Sequence, residues 1–208
     1  MRHKILLASP VAWEEAAGAI ERGDLVVFPT DTVYGVACDP YNADALQKIY
    51  EAKGRPEQKA IPLLLAGPEV LEKVAGKLGM AARALAEEYW PGALTMVVPR
   101  NPGLPAQLGT GGTIAVRVPD HDGLRAFLAV CGGALAATSA NRSGEPDALD
   151  ATRAAGYLGD HIAIYIDDGP SPGGRPSTVV DCTGESLRIL REGDITVRQI
   201  REIAGEVS

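Results

Sequence analysis

Residues 113–138 read TIAVRVPDHDGLRAFLAVCGGALAAT. An apolar, β-rich run (113–119) gives way to helical periodicity over about 121–131, and a second strand-length run, ALAAT, fills 134–138. Strand, helix and strand in succession predict an α/β domain. The pattern extends both ways. Upstream, Ser9 is placed to cap a helix over 11–22, with Pro10 at its first position and Gly23 past its end. LVVF (25–28) is a short strand that stops at Pro29, and Asn42 caps a helix that Gly54 ends, with Leu46, Ile49, Tyr50 and Lys53 on one face. IPLLLA (61–66) reads as a buried strand, 68–78 and 80–90 as two helices broken at Gly79, and LTMVVP (94–99) as a strand. Downstream come a helix near 150–158, a strand at IAIYID (162–167), and two neighbouring strands, STVVDC and LRILRE, joined by a turn at 183–186. A final helix starts near Thr196. A βα-alternating start with a β-rich end predicts a mixed sheet. No repeat, low-complexity tract or linker interrupts it, so residues 1–208 are expected to form a single domain.

Composition narrows the function classes. The chain has 208 residues, 46% hydrophobic and 23% charged, within the ordinary globular range. Cys38, Cys131 and Cys182 are far apart and form no CxxC pair, which argues against a disulfide framework and a structural zinc site. His3, His121 and His161 lack ligand spacing. The N-terminal MRHKILLASP is too short in apolar residues for a signal peptide, and no stretch approaches a membrane span; a cytoplasmic protein with no membrane partner is expected. A net charge of −7 disfavours nonspecific nucleic-acid binding as the main role. GxxxxGK[ST], GxGxxG and GxSxG motifs are all absent, so neither a Walker loop, a Rossmann fingerprint nor a nucleophile elbow is indicated.

Polar and cationic residues gather where predicted strands end, the usual place for ligands in α/β proteins. FPTDTVYGV (28–36) packs Thr30, Asp31, Thr32 and Tyr34 behind a buried strand; a polar turn accounts for them as well as a ligand does. In KIYEAKGRP (48–56), Lys53 and Arg55 flank a glycine at a helix end, with Lys59 beyond. They either complement the helix dipole or form an anion clamp. WPGALTMVVP (90–99) holds a turn followed by Thr95 on one side of a strand, and is structural on its own. Arg117 sits inside an apolar strand, which requires an ion pair or a bound carboxylate; both stay open. ATSANRSGEPD (137–147) offers Thr138, Ser139 and Asn141 at a strand end, and Ser177, Thr178 and Arg191 follow.

Taken together, PTDTVYG, KIYEAKGRP, Pro62-Leu63, WPGALT, AVRVP, TSANRSGEP, PSTVVD and ILREG resemble, in this order, the YrdC/TsaC family of threonylcarbamoyl-AMP synthases over roughly residues 20–195. The resemblance implies a YrdC-like α/β fold: a twisted mixed sheet flanked by helices, with a positively charged concave face. It implies the short form, without the extra C-terminal domain some members carry. The implied activity joins L-threonine, bicarbonate and ATP into threonylcarbamoyl-AMP and pyrophosphate, for the t6A modification of tRNA. By the same resemblance, Thr30, Arg117, Ala137 and Ser177 are expected around the threonine, with Arg117 on its carboxylate. Lys53 and Arg55 are expected to be catalytic, holding phosphates or the carbamate. Thr113, Ser139, Asn141 and Arg191 are expected around the nucleotide. Mg²⁺ is expected to arrive with ATP, without a protein metal site or an organic cofactor. Asp31 stands where many members have glutamate, and Asp147 where a small or hydroxyl residue is expected. Implied partners are a downstream threonylcarbamoyl-transferase complex and an RNA or tRNA contact. Two other readings are a non-catalytic RNA-binding maturation module and a carbamoyltransferase domain; the missing CxxC weighs against the latter.

Overall fold

The computed structural model describes residues 3–54, 60–108, 111–172, 176–184 and 186–205. The chain runs β1 (Lys4–Leu7), α1 (Pro10–Glu21), β2 (Val26–Phe28), β3 (Gly35–Cys38), α2 (Ala43–Lys53), β4 (Leu63–Leu65), α3 (Leu71–Val74), α4 (Met80–Tyr89) and β5 (Leu94–Pro99). It continues through β6 (Thr113–Arg117), α5 (Asp122–Val130), β7 (Ala134–Ser139), α6 (Ala151–Leu158), β8 (Ile164–Asp167), β9 (Thr178–Asp181), β10 (Arg188–Arg191) and α7 (Val197–Ala204). The caps predicted at Ser9 and Asn42 hold, each side chain accepting a helix N-terminal amide; Thr196 does the same for α7 and forms a reciprocal capping box with Gln199. Gly54 ends α2 at φ 57°, a left-handed conformation that suits glycine.

All ten strands join one mixed sheet in the order β1-β8-β2-β3-β7-β4-β6-β5-β9-β10. β1/β8, β2/β8, β4/β6 and β5/β9 pair in parallel, and the other neighbours are antiparallel. Two strands, β1 and β3, go beyond the elements that the sequence predicts. The helix expected over 68–78 shrinks to a 3₁₀ turn (Pro68–Val70) and the one-turn α3. The chain leaves helix there because Gly76 donates to Pro99 O at 2.7 Å, Asn101 donates to Val74 O at 3.0 Å, and Ala75 bridges Arg100.

The sheet's two faces are covered unequally, and this creates the site. One face packs against α2, α3, α4, α6 and α7 through Leu46, Ile49, Val74, Leu85, Leu158 and Ile200. Among the described residues the other carries only α1 and α5, which cover Val26, Phe28, Ala37, Leu135 and Ile164 on β2, β3, β7 and β8. Beyond those helices, β6, β5 and β9 alternate between buried and half-exposed residues: Ala115, Val97 and Val179 face the open side while Val116, Met96 and Val180 are buried. That part of the face is therefore open, and side chains there line a hollow.

Candidate active site

The hollow has a volume of about 330 Å³ and lies over β3, β7, β4, β6, β5 and β9. Period-two alternation accounts for Ala115 and Arg117 from β6, Thr95 from β5 and Leu64 from β4, whereas the end of β7 contributes Ala137, Thr138 and Ser139 in succession. Thr30 and Thr32 enter from the loop after β2, Asp147 from the loop after β7, and Ser177 and Arg191 from the β9–β10 hairpin region. Four neighbouring strands thus carry, side by side, Arg117, Thr95, Ser177 (one residue before β9) and Arg191. Three strand spacings of about 4.8 Å place the two arginine strands roughly 14 Å apart.

Arg117 has a complete set of braces. Its Nε donates to Gly92 O at 2.9 Å, Nη1 to Thr32 Oγ1 at 3.1 Å, and Nη2 to Asp31 Oδ2 at 2.7 Å. The pair is deeply set, with side-chain exposures of 9% for Arg117 and 16% for Asp31. The structural ion pair left open by the sequence exists, yet Arg117 also lines the hollow. A guanidinium has five N–H groups, so among the described residues one on each terminal nitrogen stays uncommitted, a fork suited to a carboxylate.

Thr30 does a different job from the one expected of a ligand hydroxyl. Its Oγ1 accepts from Thr32 N (3.1 Å) and Val33 N (3.2 Å) and donates to Val33 O (2.7 Å). It lines the hollow, but its proton is spent on the turn that presents Asp31 and Thr32. Ser171 Oγ donates to Thr30 O and ties the same turn to the segment after β8.

Lys53 also departs from the expected anion clamp. It is buried, and its ammonium donates to Ser139 O, to Asn141 O at 2.7 Å and to Asn141 Oδ1 at 3.3 Å. It is not among the residues lining the hollow. Three oxygens of one loop accept from its ammonium, so these contacts make it a strut from α2 to the 139–141 loop. Ser139 Oγ donates to Asn141 Oδ1, and Asn141 Nδ2 donates to Glu145 O, which finishes that loop. Ser139 lines the hollow; Asn141 stands behind it. Arg55 lies outside the described residues.

Ser177 is the meeting point on the other side. Its Oγ is 2.7 Å from Thr95 Oγ1 and accepts from Arg191 Nη2 at 3.2 Å, while Arg191 Nε and Nη2 both donate to Ser177 O. Burial lowers the Arg191 pKa; Asp147 opposes that shift and Arg117 adds to it, so the three charges share one field. Ala137 also lines the hollow. Thr113 is half-buried at the far end of β6, on the Arg117 face but about 13 Å along the strand and outside the lining. Thr32, Thr95 and Asp147 belong to the lining although they were not expected there. For Thr95 the signal was available: it shares β5's open-face parity with Val97. The Thr95 and Ser177 hydroxyls and the Arg117 and Arg191 guanidiniums suit binding of anionic and hydroxyl-bearing groups. No side chain here is arranged as a nucleophile–base pair among the described residues.

The Sua5/YciO/YrdC family model, described as "telomere recombination", matches residues 18–193. A relative from Mycobacterium tuberculosis is 40% identical over 191 residues, covering 91% of this chain and 88% of its own. The threonylcarbamoyl-AMP synthase of Bacillus subtilis is 38% identical over 195 residues, 93% of this chain. The crystal structure of P. abyssi Sua5 complexed with L-threonine superposes with a TM-score of 0.93 at 34% identity and 99% coverage of this chain. This chain spans 56% of the Bacillus protein and 62% of the P. abyssi chain. A matched model over most of the chain, and relatives at this identity, place the chain in the Sua5/YciO/YrdC family.

Proposed function

We propose that this chain is an L-threonylcarbamoyladenylate synthase, a nucleotidyltransferase that makes threonylcarbamoyl-AMP for t6A at position 37 of ANN-decoding tRNAs. The observation that carries the reading is the row of Arg117, Thr95, Ser177 and Arg191 across one open sheet face. The threonine amine combines with bicarbonate-derived CO₂ to give a carbamate. A carbamate oxygen then attacks the α-phosphorus of ATP and pyrophosphate leaves. No enzyme nucleophile is needed; the work is positioning and charge neutralisation.

In this reading Arg117 takes the threonine carboxylate, and Leu64, Ala115 and Ala137 surround its aliphatic part. Ser177, hydrogen-bonded to Thr95, partners the threonine hydroxyl, a role the committed Thr30 hydroxyl does not fill. A hydrogen-bonded hydroxyl is what rejects valine, whereas an apolar wall discriminates against serine by only ~1–3 kcal/mol. Arg191 and Ser139 face the nucleotide, and Arg55 completes the phosphate clamp. Lys53 and Asn141 shape the Ser139 loop. Mg²⁺ is assigned to the substrate, carried on the triphosphate; Asp147 is the one carboxylate among the described lining residues. The product passes to a threonylcarbamoyl-transferase complex, with the protein acting in the cytoplasm as one 1–208 domain.

Labelled threonine with bicarbonate and MgATP tests the proposal. Appearance of a labelled adenylate with stoichiometric pyrophosphate supports it. Pyrophosphate release that ignores threonine, or RNA affinity without turnover, contradicts it.

A further inference from the structure

Asp31 presents an unusual combination. Its Oδ2 accepts from Arg117 Nη2 at 2.7 Å, while its Oδ1 is buried with no hydrogen-bond partner among the described residues. A buried, half-satisfied carboxylate is a poor device for stability, because its desolvation is only partly offset by the single contact. It is a good device for orientation. The Thr30 hydroxyl fixes the turn, the turn aims Asp31 Oδ2 and Thr32 Oγ1 at the two terminal nitrogens of Arg117, and Gly92 O holds Nε. Only one rotational setting of the guanidinium satisfies all three acceptors. In that setting one N–H on each terminal nitrogen has no partner among the described residues and is available to a ligand.

We propose that Asp31, seconded by Thr32, is a positioning residue for amino-acid recognition: it presets the Arg117 fork for the substrate carboxylate. Asp31 does not itself line the hollow and acts through Arg117. Its negative charge also offsets the arginine's, so the fork relies on two-point geometry more than on net attraction and selects a planar carboxylate over a generic anion. The proposal rests on the synthase reading above.

The test is steady-state kinetics on the full chain with wild type, Asp31→Asn, Asp31→Glu and Thr32→Val, varying threonine and ATP separately. Asp31→Asn is expected to raise the threonine KM on the order of tenfold or more, the usual consequence of losing a charge-assisted hydrogen bond. Its ATP KM and its kcat at saturating threonine stay within about twofold of wild type, as expected when only uniform substrate binding is lost. Thr32→Val shifts threonine KM in the same direction, and Asp31→Glu, which keeps the charge, recovers part of the loss. An unchanged threonine KM in Asp31→Asn, or equal rises for threonine and ATP alongside a lower Tm, overturns the positioning role. Should Asp31→Asn fail to fold, an unchanged threonine KM in Thr32→Val overturns it instead. Wild type that turns over normally separates these results from failure of the synthase reading, in which wild type itself shows no threonine-dependent product.

Discussion

Arg117 could be singled out from sequence because a guanidinium in an apolar strand demands a partner; which partner was a non-local matter. Asp31 is 86 positions away, and no local pattern pairs the two. The bidentate fork makes a simple prediction. Arg117→Lys keeps the charge but offers a point donor, so threonine KM should rise on the order of ten- to a hundredfold, measured at fixed saturating ATP. Lys53 shows the opposite relation between sequence and structure. Its position at a helix end beside Gly54 suggested a phosphate clamp, but its reach to Ser139 and Asn141 depends on β7 lying next to α2's C-terminus, which one-dimensional spacing does not reveal. Lys53→Met should strand buried acceptors and cost about 3 kcal/mol, roughly 6–12 °C in Tm for a chain of this size. Thermal unfolding by circular dichroism reads that loss; an unchanged Tm would remove Lys53 from the strut role.

Elements with a strong period or clear caps were readable: α1, α2, α5 and α7 sit within a residue or two of expectation, as do β5 and β7. β1 and β3 were not. β1 is a four-residue edge strand at the N-terminus with three exposed residues, so it carries little of the alternation that marks a half-buried strand. β3 (GVAC) is wholly buried and begins with glycine, and it owes its conformation to pairing with β2 and β7 on both sides. The β9–β10 hairpin was predicted, but its consequence for the site was not. Gly193, just past β10, lies so close to the chain before β9 that a Cβ would come within 2.0 Å of Pro176 O and 2.7 Å of Ser177 C. Gly193 N also donates to Thr178 Oγ1 at 2.9 Å. Gly193→Ala must therefore push the hairpin's end away from Ser177 and unseat Arg191. Turnover should fall on the order of a hundredfold, since a shift of about 1 Å can cost that much. Wild-type turnover in that variant would show that the Ser177–Arg191 contact is dispensable.

At the scale of the whole molecule, the described residues cover one face of the sheet with five helices and the other with two, and the remaining open area holds the hollow. The segments that complete the hollow are stitched together by buried polar groups. Tyr34, fully buried, donates to Gly169 O at 2.6 Å and accepts from Asp168 N, which joins the Thr30 turn to the end of β8. Burial, the main cause, pushes its phenol from 10.0 up to about 12. The folded chain keeps that proton at pH values where the unfolded chain has lost it, so the contribution is intact below about pH 10 and disappears as pH rises toward about 12. Urea unfolding at stepped alkaline pH should show stability falling across that window, and a Tyr34→Phe variant should show a shallower fall. The central claim, that distant cations and hydroxyls converge to seat an amino acid beside a triphosphate, has a direct test in a crystal structure with L-threonine and a non-hydrolysable ATP analogue. The threonine carboxylate is predicted within hydrogen-bonding distance of both Arg117 terminal nitrogens, with the nucleotide phosphates toward Arg191. Threonine bound away from the open face of β6, β5 and β9, with Arg117 touching only Asp31, Thr32 and Gly92, would contradict the account.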